Sequence, residues 1–253
     1  MVKRILAVLA AFGLLVVAGC AAGPDGLEAK QILDQATAAE AQLESMTFTM
    51  NIQGDMAGQT FTMQMDGGGY LKGEREGDLV MRASMTAPDL PATSFQMVAR
   101  DGRAYFNFNG MWQEIPGGLG QEQTAQLEQQ LSGFDFSKYV TNVTVEDGTT
   151  FLGEPVTKIV GTIDTKGLFG GLFDQLGSAA GSLGGGFAPP EGALDGIGDI
   201  RAVLYVSDAT HLVQAMHMEF SFEEQGQKGS FAINYALRSV NEPVEIPEPA
   251  VVA

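Results

Sequence analysis

A single cysteine in 253 residues, Cys20, leaves this chain unable to close an internal disulfide, so nothing in its fold depends on an oxidising compartment. The same scarcity removes the cysteine-based zinc patterns. Histidine is nearly as rare. His211 and His217 stand six residues apart, which puts them on one face of an extended chain but roughly 20 Å from each other, too far to share a metal ion. His211 follows the turn-like Ser207-Asp208-Ala209-Thr210 and reads as a solvated loop residue, His217 as an outward strand residue. No metal site and no cofactor are expected.

Basic residues are also scarce: 14 Lys and Arg stand against 31 Asp and Glu, a formal net charge of −17. No Lys or Arg cluster offsets that charge locally, which argues against nucleic acid as a partner. Nucleophile elbow, P-loop and dinucleotide fingerprint are all missing. The glycine triplets Gly67 to Gly69 and Gly184 to Gly186 lack the strand-turn-helix setting of a phosphate cradle. Acidic pairs such as Glu74/Glu76 and Glu223/Glu224 lie in polar, turn-like stretches and read as solvated charges. No catalytic residues are expected, and the chain does not read as an enzyme.

What is present begins at the N-terminus. Lys3 and Arg4 precede an apolar run from Ile5 to Val17, interrupted only by Gly13. That run is shorter than the roughly 20 residues a helix needs to cross a bilayer, and it reads as the core of a secretory signal. It closes on Val17-Ala18-Gly19-Cys20, small residues before a cysteine, the pattern of a lipobox. Residues 1–19 are therefore expected to be a signal peptide and Cys20 the lipidated residue, carrying diacylglycerol and acyl chains such as palmitate. A single chain holds a membrane only marginally, at about 0.8 kcal/mol per buried methylene, whereas two or three hold firmly. The expected location is exported and lipid-anchored to the cell membrane. Without the signal the formal charge becomes −19, because Lys3 and Arg4 leave with it.

The acidic residues are scattered through a chain that is 45% hydrophobic, too apolar for a disordered acidic tail. We expect a tether over 20–26, one domain over 27–247 and a tail over 248–253. Ala29, Ile32, Leu33, Ala36, Ala39 and Leu43 recur at helical spacing and predict a helix from Leu27 to Ser45. The period then becomes 2: Phe48, Met50 and Ile52, then Phe61, Met63 and Met65, alternate with polar residues and predict a hairpin. Further strands are expected at 79–85, 94–100, 104–109, 111–115, 143–146, 156–164, 200–206, 212–222 and 229–238, with turns at Asp101-Gly102 and Asn109-Gly110. Two more helical stretches are expected at Gln121 to Leu131 and Leu168 to Leu176, with a Gly-rich loop near 177–192, and Pro243 to Pro249 as an extended tail or edge segment. This order indicates an α+β fold, a large antiparallel sheet with helices packed on one side.

Several short motifs carry a family resemblance. They are Ile32-Leu33-Asp34-Gln35-Ala36 directly after the lipobox, Phe48 to Ile52, Gly110-Met111-Trp112-Gln113-Glu114, Gly153 to Asp164, Tyr205 to Leu212, and Asn241-Glu242-Pro243-Val244. Together they resemble the LppX/LprG-like bacterial envelope lipoproteins, related in architecture to the LolA-type carriers; Lys158 stands where histidine is usual in that pattern. The resemblance implies a strongly curved half-barrel closed by helices around an apolar cavity that holds acyl chains. Methionine, unbranched and adaptable, suits such a surface. The candidate lipid-binding face is Phe48, Met50, Ile52, Phe61, Met63, Met65, Met81, Met85, Met97, Met216, Met218 and Phe220. The bland alternative for the same residues is an ordinary core between sheet and helices. Two functions follow: a membrane-anchored protein that binds or transfers a lipid or glycolipid ligand, or a non-catalytic envelope scaffold that presents loops to another envelope protein.

Overall fold

In a computed structural model the described residues are 24–56, 59–88, 90–108, 110–115, 140–165, 167, 198–224 and 227–250. One helix, α1 (Pro24–Glu40), precedes eleven strands: β1 (Ser45–Met56), β2 (Gln59–Tyr70), β3 (Leu79–Ala87), β4 (Leu90–Arg100), β5 (Arg103–Phe108), β6 (Met111–Ile115), β7 (Val140–Phe151), β8 (Glu154–Ile163), β9 (Ile200–Ser207), β10 (Val213–Glu224) and β11 (Gln227–Val240). The signal, Cys20 and residues 20–23 of the expected tether lie outside the described residues, whereas Pro24 to Gly26, expected to be tether, already belong to α1, which starts three residues earlier than its apolar periodicity indicates. The expected helices at 121–131 and 168–176 and the Gly-rich loop also lie outside the described residues, so α1 is the one helix seen on the sheet.

All the strands form one antiparallel sheet in the order β6-β5-β4-β3-β2-β1-β11-β10-β9-β8-β7. Every neighbour pair but one is consecutive in the chain. The exception, β1 with β11, joins the first half to the second in the middle of the sheet, and β6 and β7 become its two edges. The sheet is open. Period-2 alternation sets the register: Met50 lies opposite both Met65 and Tyr235, Ile52 opposite Met63 and Ile233, so one face is apolar across the centre while Thr49 and Asn51 point the other way.

Helix α1 starts on Pro24, tolerated in a first turn where its missing N–H has no partner to lose. It packs Ala29, Leu33 and Ala36 into the main core with Met46, Phe48, Met50, Leu204 and Met216. It ends earlier than its periodicity suggests, at Glu40 and not at Ser45. The chain tightens there through Gln42 N–H to Ala39 O at 3.0 Å and Leu43 N–H to Glu40 O at 3.1 Å, and Ser45 already pairs with Tyr70 in the sheet. Leu43 is buried, but by the turn.

The hairpins turn on residues that accept a left-handed backbone. Asp101-Gly102 does so with φ of 52° and 76°, as its dipeptide indicates. Leu152-Gly153 does the same between β7 and β8 with φ of 51° and 87°, an unusual place for leucine. Within β2, Gly67 has a steric role: a Cβ there would come within 2.9 Å of the Phe48 ring, which lies across it.

The proline-rich end forms no strand. After Asn241, whose side chain accepts from Glu44 N–H at 2.8 Å, the chain crosses the polar face of the sheet. Val244 and Ile246 are buried there against Val80 and Val98, flanked by Tyr70 and Trp112. Val244 N–H donates to the Tyr70 hydroxyl at 2.9 Å. Val80 and Val98 are apolar residues on the face opposite the main core, and this strap covers them.

Candidate functional site

All twelve candidate residues lie on one side of the sheet. Cross-strand pairing places Met63 beside Met85, Met81 beside Met97 and Phe61 across from Gly54; on the other flank Met216, Met218 and Phe220 face Tyr235, Ile233 and Phe231. Strand β11 therefore bridges the two candidate groups with three apolar residues of its own. Their alternation is plain in the sequence. What the sequence does not show is that β11 pairs with β1, which is what makes the face continuous.

The two ends of this face differ. Phe48, Met50, Met216 and Met218 are 3 to 7% exposed, covered with α1 in the main core. Farther along the same strands Ile52, Phe61, Met63, Met65 and Phe220 are only half-buried, as are Met81, Met85 and Met97 on β3 and β4. At that end the rings cover one another. Phe231 lies 5.1 Å from Phe220, 5.4 Å from Phe61 and 5.5 Å from Phe222, distances within the attractive range for aromatic pairs. Phe61 lies over Gly54 and Phe222 over Gly229, positions where any side chain would collide with the ring. Toward the β6 edge Phe95, Phe106 and Phe108 continue the series at 6.0 and 6.5 Å, and Phe108 and Met111 are exposed.

One polar pair borders the packed end. Glu40 continues the buried stripe of α1, following Ala29, Leu33 and Ala36 at spacings of 4, 3 and 4 residues. Burial pushes its carboxyl up to about 7, and the partial negative charge at the end of a helix is no help to a carboxylate. Tyr235 stacks on Phe48 at 5.9 Å; burial, then the nearby Glu40, push its hydroxyl well above the usual range. A carboxyl that holds its proton near neutrality donates as well as accepts, so this corner can hydrogen-bond an ester or hydroxyl at the end of an apolar molecule.

The remaining titratable candidates are elsewhere. His211 sits exposed with φ 57° in the turn before β10. His217 points to the polar face, between Asn234 Oδ1 at 2.7 Å and Glu219 Oε1 at 3.0 Å. Glu74 and Glu76 lie in the exposed β2–β3 loop and Glu223 near the end of β10. Among the described residues no three His, Cys, Asp or Glu side chains gather in a way that could hold a metal ion. Nor is any described helix long and apolar enough to cross a membrane.

No protein-family model matches the chain, and no curated protein matches it. Solved structures do. LprF from Mycobacterium bovis superposes with a TM-score of 0.51 at 18% identity, over 90% of this chain and 100% of that one. The Mycobacterium tuberculosis lipoprotein LppX covers 86% of this chain and 97% of its own, with a TM-score of 0.47 at 17% identity. An open eleven-stranded meander, joined through its first and last strands with a helix against its apolar face, is thus similar to LprF in fold, as the sequence motifs led us to expect.

Proposed function

We propose that this chain is an exported lipoprotein, anchored through Cys20, that holds an acyl chain or another lipidic molecule against the half-buried end of its apolar face, without catalysis. The observation that carries this is the unfinished burial of that face. A close-packed core leaves no row of apolar side chains half-covered across three neighbouring strands, whereas Met63, Met65, Met81, Met85 and Met97 stand in that state together. Covering ten methylenes of a ligand there is worth roughly 8 kcal/mol before the costs of association. Flexible methionines adapt to chains of different length, and the Glu40 and Tyr235 corner suits the polar end of such a molecule.

The direct test is mass spectrometry of organic extracts from the protein produced in a bacterial host. A lipid recovered in near-stoichiometric amount supports the carrier reading. Absence of lipid together with a stoichiometric envelope protein partner replaces it with the scaffold reading. The anchor is tested separately: Cys20→Ala should leave an unprocessed precursor that lacks the lipid while the domain stays folded. Unchanged processing and detergent-resistant membrane association in that variant would remove the lipobox from the argument.

A further inference from the structure

The lipid reading uses one face of the sheet; a large concavity lined by described residues is on the other. It is an open trough of about 920 Å³ that runs across the strands from Asn107 on β5 to Tyr205 on β9. Sites that take up a whole small ligand span about 300–1,000 Å³. We infer that this trough is a binding site for an uncharged oligosaccharide chain.

Its wall chemistry points there. Amides and hydroxyls stand along it, among them Asn51, Gln64, Ser84, Gln96 and Asn234, beside apolar residues such as Ala83, Ala215 and Ala236. In a chain with 31 acidic and 14 basic residues, no Glu and no Lys is among the described residues that line it. Lys158, Glu146, Glu219, Arg103 and Glu114 sit on the same face but outside the trough. The charges inside are few and engaged: Arg82 pairs with Asp66 at 3.1 Å, and Arg238 donates to Thr49 Oγ1 at 2.9 Å. A side-chain amide offers two donors and an acceptor at one planar end, the match for neighbouring sugar hydroxyls that donate and accept together. At one end Phe151 and Tyr205 stack at 5.2 Å and supply an aromatic surface for the apolar face of a sugar ring.

Other occupants fit less well. An acyl chain would bury these amides and hydroxyls without satisfying them. A nucleic acid needs more cations than two arginines, one of them already paired with Asp66. A peptide that adds to a sheet does so along an edge, through the backbone ladder, whereas this trough crosses the faces of strands whose ladders are already filled.

The test is affinity electrophoresis of the full exported protein in gels containing dextran, starch, yeast mannan or arabinogalactan. Retardation by at least one polymer is expected, reversed by soluble oligosaccharide of the same kind. The double variant Gln64→Ala/Gln96→Ala should weaken it at least tenfold, as should Tyr205→Ala, while Glu74→Gln in the remote β2–β3 loop leaves it unchanged. Circular dichroism shows whether each variant is folded, and the double variant stands if Tyr205→Ala is not. No retardation in any of the four polymers overturns the inference, and so does retardation that the folded double variant leaves intact. Because the trough and the apolar face are on opposite sides, delipidated protein should be retarded as strongly as lipid-loaded protein. Dependence on bound lipid would assign the sugar to a glycolipid on the apolar face and overturn the trough.

Discussion

Along β1 the apolar face passes from a packed end to a half-open one within two positions: Met50 is buried in the core that α1 shares, and Ile52 is only partly covered. Residue type hardly changes across that boundary; what changes is how completely the core that includes α1 covers it. At the packed end methionine and phenylalanine act as core and set stability. At the half-open end the same side chains shield one another, ring over ring and ring over glycine, and remain partly exposed.

Four substitutions, with Thr62→Trp as a control, sharpen or break this contrast. The largest effect belongs to the packed end. Leu204→Ala, at a position 1% exposed, should cost about 2–5 kcal/mol in urea unfolding with bound lipid per folded molecule unchanged. A comparable loss of lipid would mean that the two ends are not separate.

Next comes Glu40→Gln, which keeps shape and removes the ionisable group. Between 4.5 and about 7 the unfolded chain has released the Glu40 proton and the folded protein retains it. Stability therefore falls as pH rises through that window and levels off above it. The variant should lose that slope and be more stable than the parent at about pH 8, by on the order of 2 kcal/mol. An unchanged pH profile would show that Glu40 is solvated.

Met63→Trp probes the half-open end. A close-packed site would lose about 1–3 kcal/mol from the added bulk. The half-open end should absorb it with less than about 1 kcal/mol of change while bound lipid falls, and Thr62→Trp, on the other face, should leave the lipid alone. A large stability loss would favour a solid core. The smallest effect is expected for Asp66→Asn: its exposed pair with Arg82 should be worth less than about 0.5 kcal/mol in thermal unfolding.

Much of this was legible in the sequence, and what was missed has identifiable causes. Strict alternation located β1, β2, β10 and β11 and assigned their faces, because a period of 2 fixes side-chain direction whatever the partner strand. β7 is longer than its pattern suggests, running from Val140 to Phe151, because irregularities at Thr141/Thr144 and Glu146/Thr149 break the alternation. The turn at Leu152-Gly153 carries half of the usual signature, with leucine where asparagine or aspartate is common. Glu40 was hidden by its charge: a carboxylate on the apolar stripe reads as solvent-facing until the sheet is in place. The trough was the least visible of all, since a row of Asn, Gln and Ser on alternate positions reads as an outer face, and only the bend of the sheet makes it a concavity.

The pairing of β1 with β11 has a consequence for the order of events in folding. A chain emerging N-terminus first can assemble β1 to β6 as successive hairpins, each closing locally. β1, however, keeps one side of its backbone unpaired until the last strand arrives, with Ile233 and Tyr235 still to be set beside Ile52 and Met50. Contacts so distant in sequence form slowly, and the waiting half-sheet exposes both a strand edge and a methionine-rich face. The first strand out is thus completed by the last, and the interval between them is when this protein most needs a chaperone or another cover for its unfinished sheet.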